Sequence, residues 1–85
     1  MNFLLQGREP KERISLLLNL TRISSHAIID AIHDHLCAGM SVDDAAVIND
    51  VQLSNLSRSL KALNDVACIV EQIKEIDWAA FKSVK

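Results

Sequence analysis

From Leu53 to Val70 the apolar residues Leu53, Leu56, Leu60, Leu63, Ala67 and Val70 recur at alternating steps of three and four. That spacing keeps one side of an α-helix turned toward a single partner surface, whereas a half-buried strand needs a period of two. Val66, Ile69, Ile73 and Ile76 form a second stripe beside the first. A band this wide exceeds what a lone small domain needs for one contact, so part of the helix is expected to pack on another subunit. The helix end, Trp78-Ala79-Ala80-Phe81, is apolar, and residues 77–85 read as a docking tail.

The rest of the composition agrees with helices. The chain has 85 residues, which sets a prior of one domain spanning 1–85. A chain of this size buries only ~60–65% of its unfolded surface and gains from a partner subunit. Hydrophobic residues make up 49% and aromatics only 4%, so the core must be built from Leu, Ile, Val and Ala. With two Gly and one Pro there are few places for tight hairpins. The expected fold is all-α: a small helical bundle with a helix-turn-helix and a long carboxyl-terminal helix.

Three shorter helices precede the long one. Residues 1–9 show no period and read as a flexible arm that docks on a neighbour, or as a frayed end. Pro10 suits a helix's first turn, where its missing N–H costs nothing. Ile14, Leu17, Leu18 and Leu20 then form the apolar side of a short helix. The next is capped by Ser24 or Ser25, buries Ile28, Ile29, Ile32, Leu36 and Cys37, and ends at Gly39. A third opens at Ser41, with Asp43 and Asp44 against the positive end of its dipole. Val42, Ala45 and Ala46 face inward, with Val47 or Ile48 as further inward candidates. Asn49-Asp50 breaks the pattern as a turn.

Short helix, turn and longer helix over Ser41–Leu63 make a helix-turn-helix. Ala46 supplies the small residue at the helix crossing, Val51 plugs the inner side, and Leu56 and Leu60 anchor the second helix. Gln52, Ser54, Asn55, Ser57, Arg58 and Lys61 are left pointing outward. These are the residue types that bond base edges and phosphates of double-stranded DNA. Arg22 and Arg13 are candidates for flanking backbone contacts. Two packed helices with a solvated polar face would give the same pattern.

Charge limits where a polyanion can be met. The formal net charge is −2. Asp30, Asp34, Asp43, Asp44 and Asp50 stand in a stretch without Lys or Arg, whereas Arg58 and Lys61 stand in one without acids. The amino-terminal segment and residues 51–64 are therefore the surfaces open to DNA.

Residues from about Ile14 to Ile73 resemble the PapB family of regulators of fimbrial adhesin operons. The resemblance is carried by Ile23-Ser24-Ser25-His26, Ile28-Ile29, Asp34-His35-Leu36 running into Gly39, Ser41, and Leu56-Ser57-Arg58-Ser59-Leu60-Lys61-Ala62-Leu63. It implies a transcription regulator that binds AT-rich promoter DNA as a homodimer or higher oligomer, in some members through the minor groove. Basic residues typical of the family after the opening serine are replaced here by Val42 and Asp43. An acid where a phosphate would lie weakens binding and flattens its salt dependence. A second implied reading is an interaction module that modulates a DNA-binding paralogue or another regulator.

Other chemistries find no support. His33 and Cys37 share a helix face, but no second Cys/His cluster completes a tetrahedral metal set. Ser25, His26 and Asp30 lie on one helix without a pocket or oxyanion donors, and no cofactor loop is present, so no enzyme, metal or cofactor is expected. Cys37 and Cys68 read as reduced, buried packing groups of a cytoplasmic chain. Phe3-Leu4-Leu5 is too short for a signal peptide, and no run approaches the ~18 apolar residues that would span a membrane.

Overall fold

In the computed structural model, residues 3–83 are described, with side chains to Phe81. Among them are four α-helices: α1 (Lys11–Leu18), α2 (His26–Leu36), α3 (Val42–Ile48) and α4 (Leu53–Ser83). No strand occurs among the described residues, and the architecture is the all-α one expected.

Local chemistry sets the helix boundaries. Pro10 directly precedes α1 with extended backbone, and its carbonyl accepts the Ile14 N–H at 3.2 Å. Of the two candidate serines, Ser25 caps α2 by accepting the Ile28 N–H. Ser41 caps α3 by accepting the Asp44 N–H at 3.1 Å. Behind α3 the chain closes a Schellman turn. The Asp50 N–H reaches Val47 O at 3.2 Å, and the Val51 N–H reaches Ala46 O at 3.0 Å. This turn needs a left-handed residue, and Asp50 supplies it at φ 54. Aspartate tolerates that conformation better than most non-glycine residues.

The core lies where α1, α2 and α3 meet the first half of α4. Ile14, Ile32, Leu56 and Leu63 are fully enclosed, and Leu4, Leu17, Leu18, Ile28, Ala31, Leu36, Ala45, Ala46 and Ala67 complete the cluster. The seam read from sequence thus holds at Leu56, Leu63 and Ala67, with Leu60 and Val70 half-buried. Leu53 departs from it: it stands exposed at the first position of α4, where no helix covers it. Leu20 is also exposed, because α1 ends at Leu18.

Residues 3–9, read as a flexible arm, are held against the bundle. Leu4 is buried in the core, and the Phe3 N–H donates to Asn64 Oδ1 at 2.7 Å. The Gly7 and Glu9 N–H groups donate to His35 O and Leu36 O, satisfying carbonyls at the end of α2 that would otherwise lack partners. Gly7 and Gly39 allow this crossing. Both have positive φ, and a Cβ on Gly7 would stand 2.9 Å from Gly39 Cα. Sequence periodicity carries no sign of the segment, because its partners, His35 O, Leu36 O and Asn64 Oδ1, are far away along the chain. Met1 and Asn2 lie outside the described residues.

Beyond Glu71 the long helix leaves the bundle. Ile73, Ile76, Trp78 and Phe81 are all more than half exposed, as is Ile69 just before them. The molecule is accordingly long and thin, 52 × 23 × 22 Å, with a radius of gyration of 14.4 Å. A compact chain of this length would have about 12 Å.

Candidate nucleic-acid interface

The residues expected to meet DNA occupy one end of the bundle. Gln52 lies in the turn, and Ser54, Asn55, Ser57, Arg58 and Lys61 lie on the first turns of α4; all six are exposed. Ser54, Ser57, Arg58 and Lys61 recur at steps of three and four, so they share one face. Asn55 Nδ2 donates to Gln52 Oε1 at 3.5 Å, a long bond that leaves both amides with spare capacity. Leu56 and Ala46, both buried, fix this face by locking α4 against α3.

Two half-buried polar groups brace the unit from behind. Asn49 Nδ2 donates to Asp34 Oδ2 at 2.9 Å and to Ala45 O at 2.8 Å. The last residue before the turn is thereby tied both to its own helix and to α2. In the sequence Asp34 stands out as one of a run of acids and as part of the family resemblance, and no local pattern links residues fifteen positions apart. His35 adds a second tie through Nδ1 to Met40 O at 2.8 Å.

Arg22 comes from another part of the chain, the segment between α1 and α2. An open groove of about 410 Å³ places Thr21–Ser25 and Ile28 opposite Arg58, Ser59 and Ala62 of α4. Thus Arg22 and Arg58, thirty-six positions apart, line one depression. Among the described residues, Arg22, Arg58 and Lys61 have no acidic partner at ion-pair distance.

Arg13 differs. It binds Glu9 Oε1 at 2.6 Å and Glu71 Oε1 at 3.2 Å, and Glu71 also holds Lys74 at 3.2 Å. Arg13 therefore pins the amino-terminal segment and α1 to α4, and its charge is already spent on carboxylates. The hydrogen bond from Lys74 holds the Glu71 carboxyl below its ordinary pKa, with Arg13 adding to the effect.

On α3 the side chains facing away from the bundle are Asp43, Asp44, Val47 and Ile48. The inward reading of Val47 or Ile48 is corrected: they are 79% and 66% exposed. On a seven-residue helix, Ala45 and Ala46 together with half-buried Val42 and Asn49 already fill the inner side. Asp43 and Asp44 add negative charge beside the interface.

The cysteines also need correction: both are free but only half-buried. Burial, followed by the nearby Glu9 charge, raises the Cys37 pKa and keeps its thiol protonated. Its Sγ lies 3.7 Å from His33 Nδ1. Among the described residues no group of three His, Cys, Asp or Glu could hold a metal ion, and no helix is long and apolar enough to cross a membrane.

Comparison with known proteins agrees with this architecture. No curated protein matches the chain. The crystal structure of E. coli FocB at 1.4 Å resolution superposes with a TM-score of 0.80 at 25% sequence identity, covering 86% of this chain and 83% of that one. The PapB family, described as adhesin biosynthesis transcription regulatory protein, matches residues 1–76. A match over that span shows that this chain belongs to the PapB family and is a transcription regulator rather than an enzyme.

Proposed function

We propose that the chain regulates fimbrial adhesin genes in the cytoplasm by binding AT-rich promoter DNA, with the first turns of α4 against the duplex. The observation that carries this reading is the groove that Arg22 and Arg58 line together, with Lys61 one turn further along α4 from Arg58; none of the three has an acidic partner among the described residues. Arg58 and Lys61 meet phosphates or a groove, and Gln52, Ser54, Asn55 and Ser57 position the helix. Only a few cations serve the interface, with Asp43 and Asp44 nearby, so a single copy binds weakly and several copies act together. The exposed arm of α4 joins the copies, as a homodimer or larger oligomer.

An anisotropy titration of Arg58→Ala on an AT-rich duplex tests the reading. The expected result is about three- to tenfold weaker binding at fixed salt and a salt slope shallower by about one. Unchanged affinity with an unchanged slope would remove Arg58 from the interface.

The outer face of α3 favours a second reading, in which the chain modulates a DNA-binding paralogue or another regulator. Val47 and Ile48 are exposed beside Asp43 and Asp44, a surface better suited to protein than to phosphate. Light scattering of the chain mixed with a family relative separates the two. A heteromer, with no duplex binding by the chain alone, supports the second reading. Duplex binding without a heteromer supports the first.

A further inference from the structure

The groove between the Thr21–Ser25 segment and α4 has more room and more apolar surface than a DNA phosphate can use. Its volume is about 410 Å³, whereas a phosphate group fills on the order of two water volumes, about 60 Å³. Its lining combines two chemistries. Ile23, Ile28 and Ala62 give it apolar surface, and Arg22 and Arg58 give it two cations without acidic partners among the described residues. Ser59 adds a hydroxyl from α4, and Thr21, Ser24 and Ser25 add three from the facing segment. Small-molecule sites have this make-up, a few hundred Å³ of largely apolar lining with a small number of polar groups that fix orientation. A bare anion would leave the apolar lining wet, and a neutral apolar molecule would leave the arginines without a partner.

We propose that this groove binds a small amphipathic anion, a phosphate or carboxylate carried on an apolar body, and that the bound anion competes with DNA. The acid group pairs with Arg22 and Arg58, whose guanidinium forks match both oxyanions. The apolar body covers Ile23, Ile28 and Ala62. Competition follows because the same two arginines serve the duplex. That half of the proposal rests on the DNA reading above; the binding half does not.

The test uses the full isotope-labelled chain and three probes: phenyl phosphate, inorganic phosphate and phenol. Phenyl phosphate is expected to shift the amides of Ile23, Ile28, Ser59 and Ala62 with saturation near about 1 mM. Inorganic phosphate and phenol, each carrying half of the chemistry, should need at least about tenfold more. Arg22→Ala and Arg58→Ala should each weaken phenyl phosphate several-fold while leaving the amides of the buried core in place. With phenyl phosphate at its midpoint, the apparent Kd for an AT-rich duplex should double.

Inorganic phosphate binding as tightly as phenyl phosphate would reduce the groove to a cradle for the DNA backbone and overturn the proposal. So would the absence of saturable shifts in the groove. A duplex Kd that does not move overturns the competition. If phenyl phosphate saturates the groove while the chain binds no duplex, the DNA reading fails and the ligand site stands.

Discussion

At the scale of single residues, Asp50, Gly7 and Gly39 stand at backbone positions that accept only certain side chains. Asp50 closes the turn of the helix-turn-helix at φ 54. Asp50→Val should therefore cost about 1–2 kcal/mol in urea denaturation, whereas Asp50→Gly should be neutral or slightly stabilising. Equal stability of the two variants would show that the turn relaxes to another conformation. Gly7 sits at φ 69 with the Gly39 backbone where its Cβ would be. Gly7→Ala should cost about 1–3 kcal/mol and release the amino-terminal segment, seen as faster amide exchange of Gly7 and Glu9. The turn at Asn49-Asp50 was readable from residue types alone. The Gly7–Gly39 crossing was not, because it depends on two glycines meeting across the fold.

At the scale of elements, α4 does two jobs. Its first half is the spine of the core, with Leu56, Leu63 and Ala67 fully enclosed. Leu63→Ala should cost about 2–5 kcal/mol, since the side chain is fully enclosed and its loss leaves a cavity in the core. Its second half makes no core. Trp78 and Phe81 stack on each other at 5.7 Å and stay exposed. Trp78 is the single tryptophan of the chain, so its fluorescence reports the arm directly. If the arm joins copies, the emission should move to the blue as concentration rises, in step with the mass from sedimentation. A rise in mass with constant emission would place the contact elsewhere. The wide apolar band already marked this helix as having too much surface for one small core. Where the band leaves the bundle, just past Glu71, depended on how far α1 and α2 reach along it.

For the whole molecule, charge placement matters more than the net −2. Glu9, Arg13, Glu71 and Lys74 form one chain of ion pairs linking the amino-terminal segment, α1 and α4. The pKa of Glu71 is depressed in the folded state. Its contribution is therefore full above the ordinary glutamate pKa and is lost as pH falls through the depressed value. Thermal denaturation of wild type and Glu71→Gln should show a Tm gap at neutral pH that closes in acid. A gap that persists under acid would mean that the carboxylate charge is not what holds this contact. With Arg13 engaged here, Arg22, Arg58 and Lys61, together with Arg8 and Lys11 of the amino-terminal part, are left for a polyanion.

The helices were legible along the chain, because periodicity, caps and turn residues act within a few positions of each other. The spacing from Leu53 to Val70 demanded a long helix, Ser41 set one start and the Ser24-Ser25 pair bracketed another, and the scarcity of Gly and Pro spoke against a sheet-rich alternative. Residue types also marked Arg58 and Lys61, and a family resemblance gave them a purpose. Tertiary structure alone decided which charges are free and which surfaces are covered. Arg13 and Arg22 look equivalent along the chain, yet one lies between two glutamates and the other lines a groove with Arg58. Val47 and Ile48 look like core, yet a seven-residue helix has only one side to bury, and the alanines already fill it. Such outcomes depend on distances between residues far apart in sequence, and those distances are set only when the helices pack.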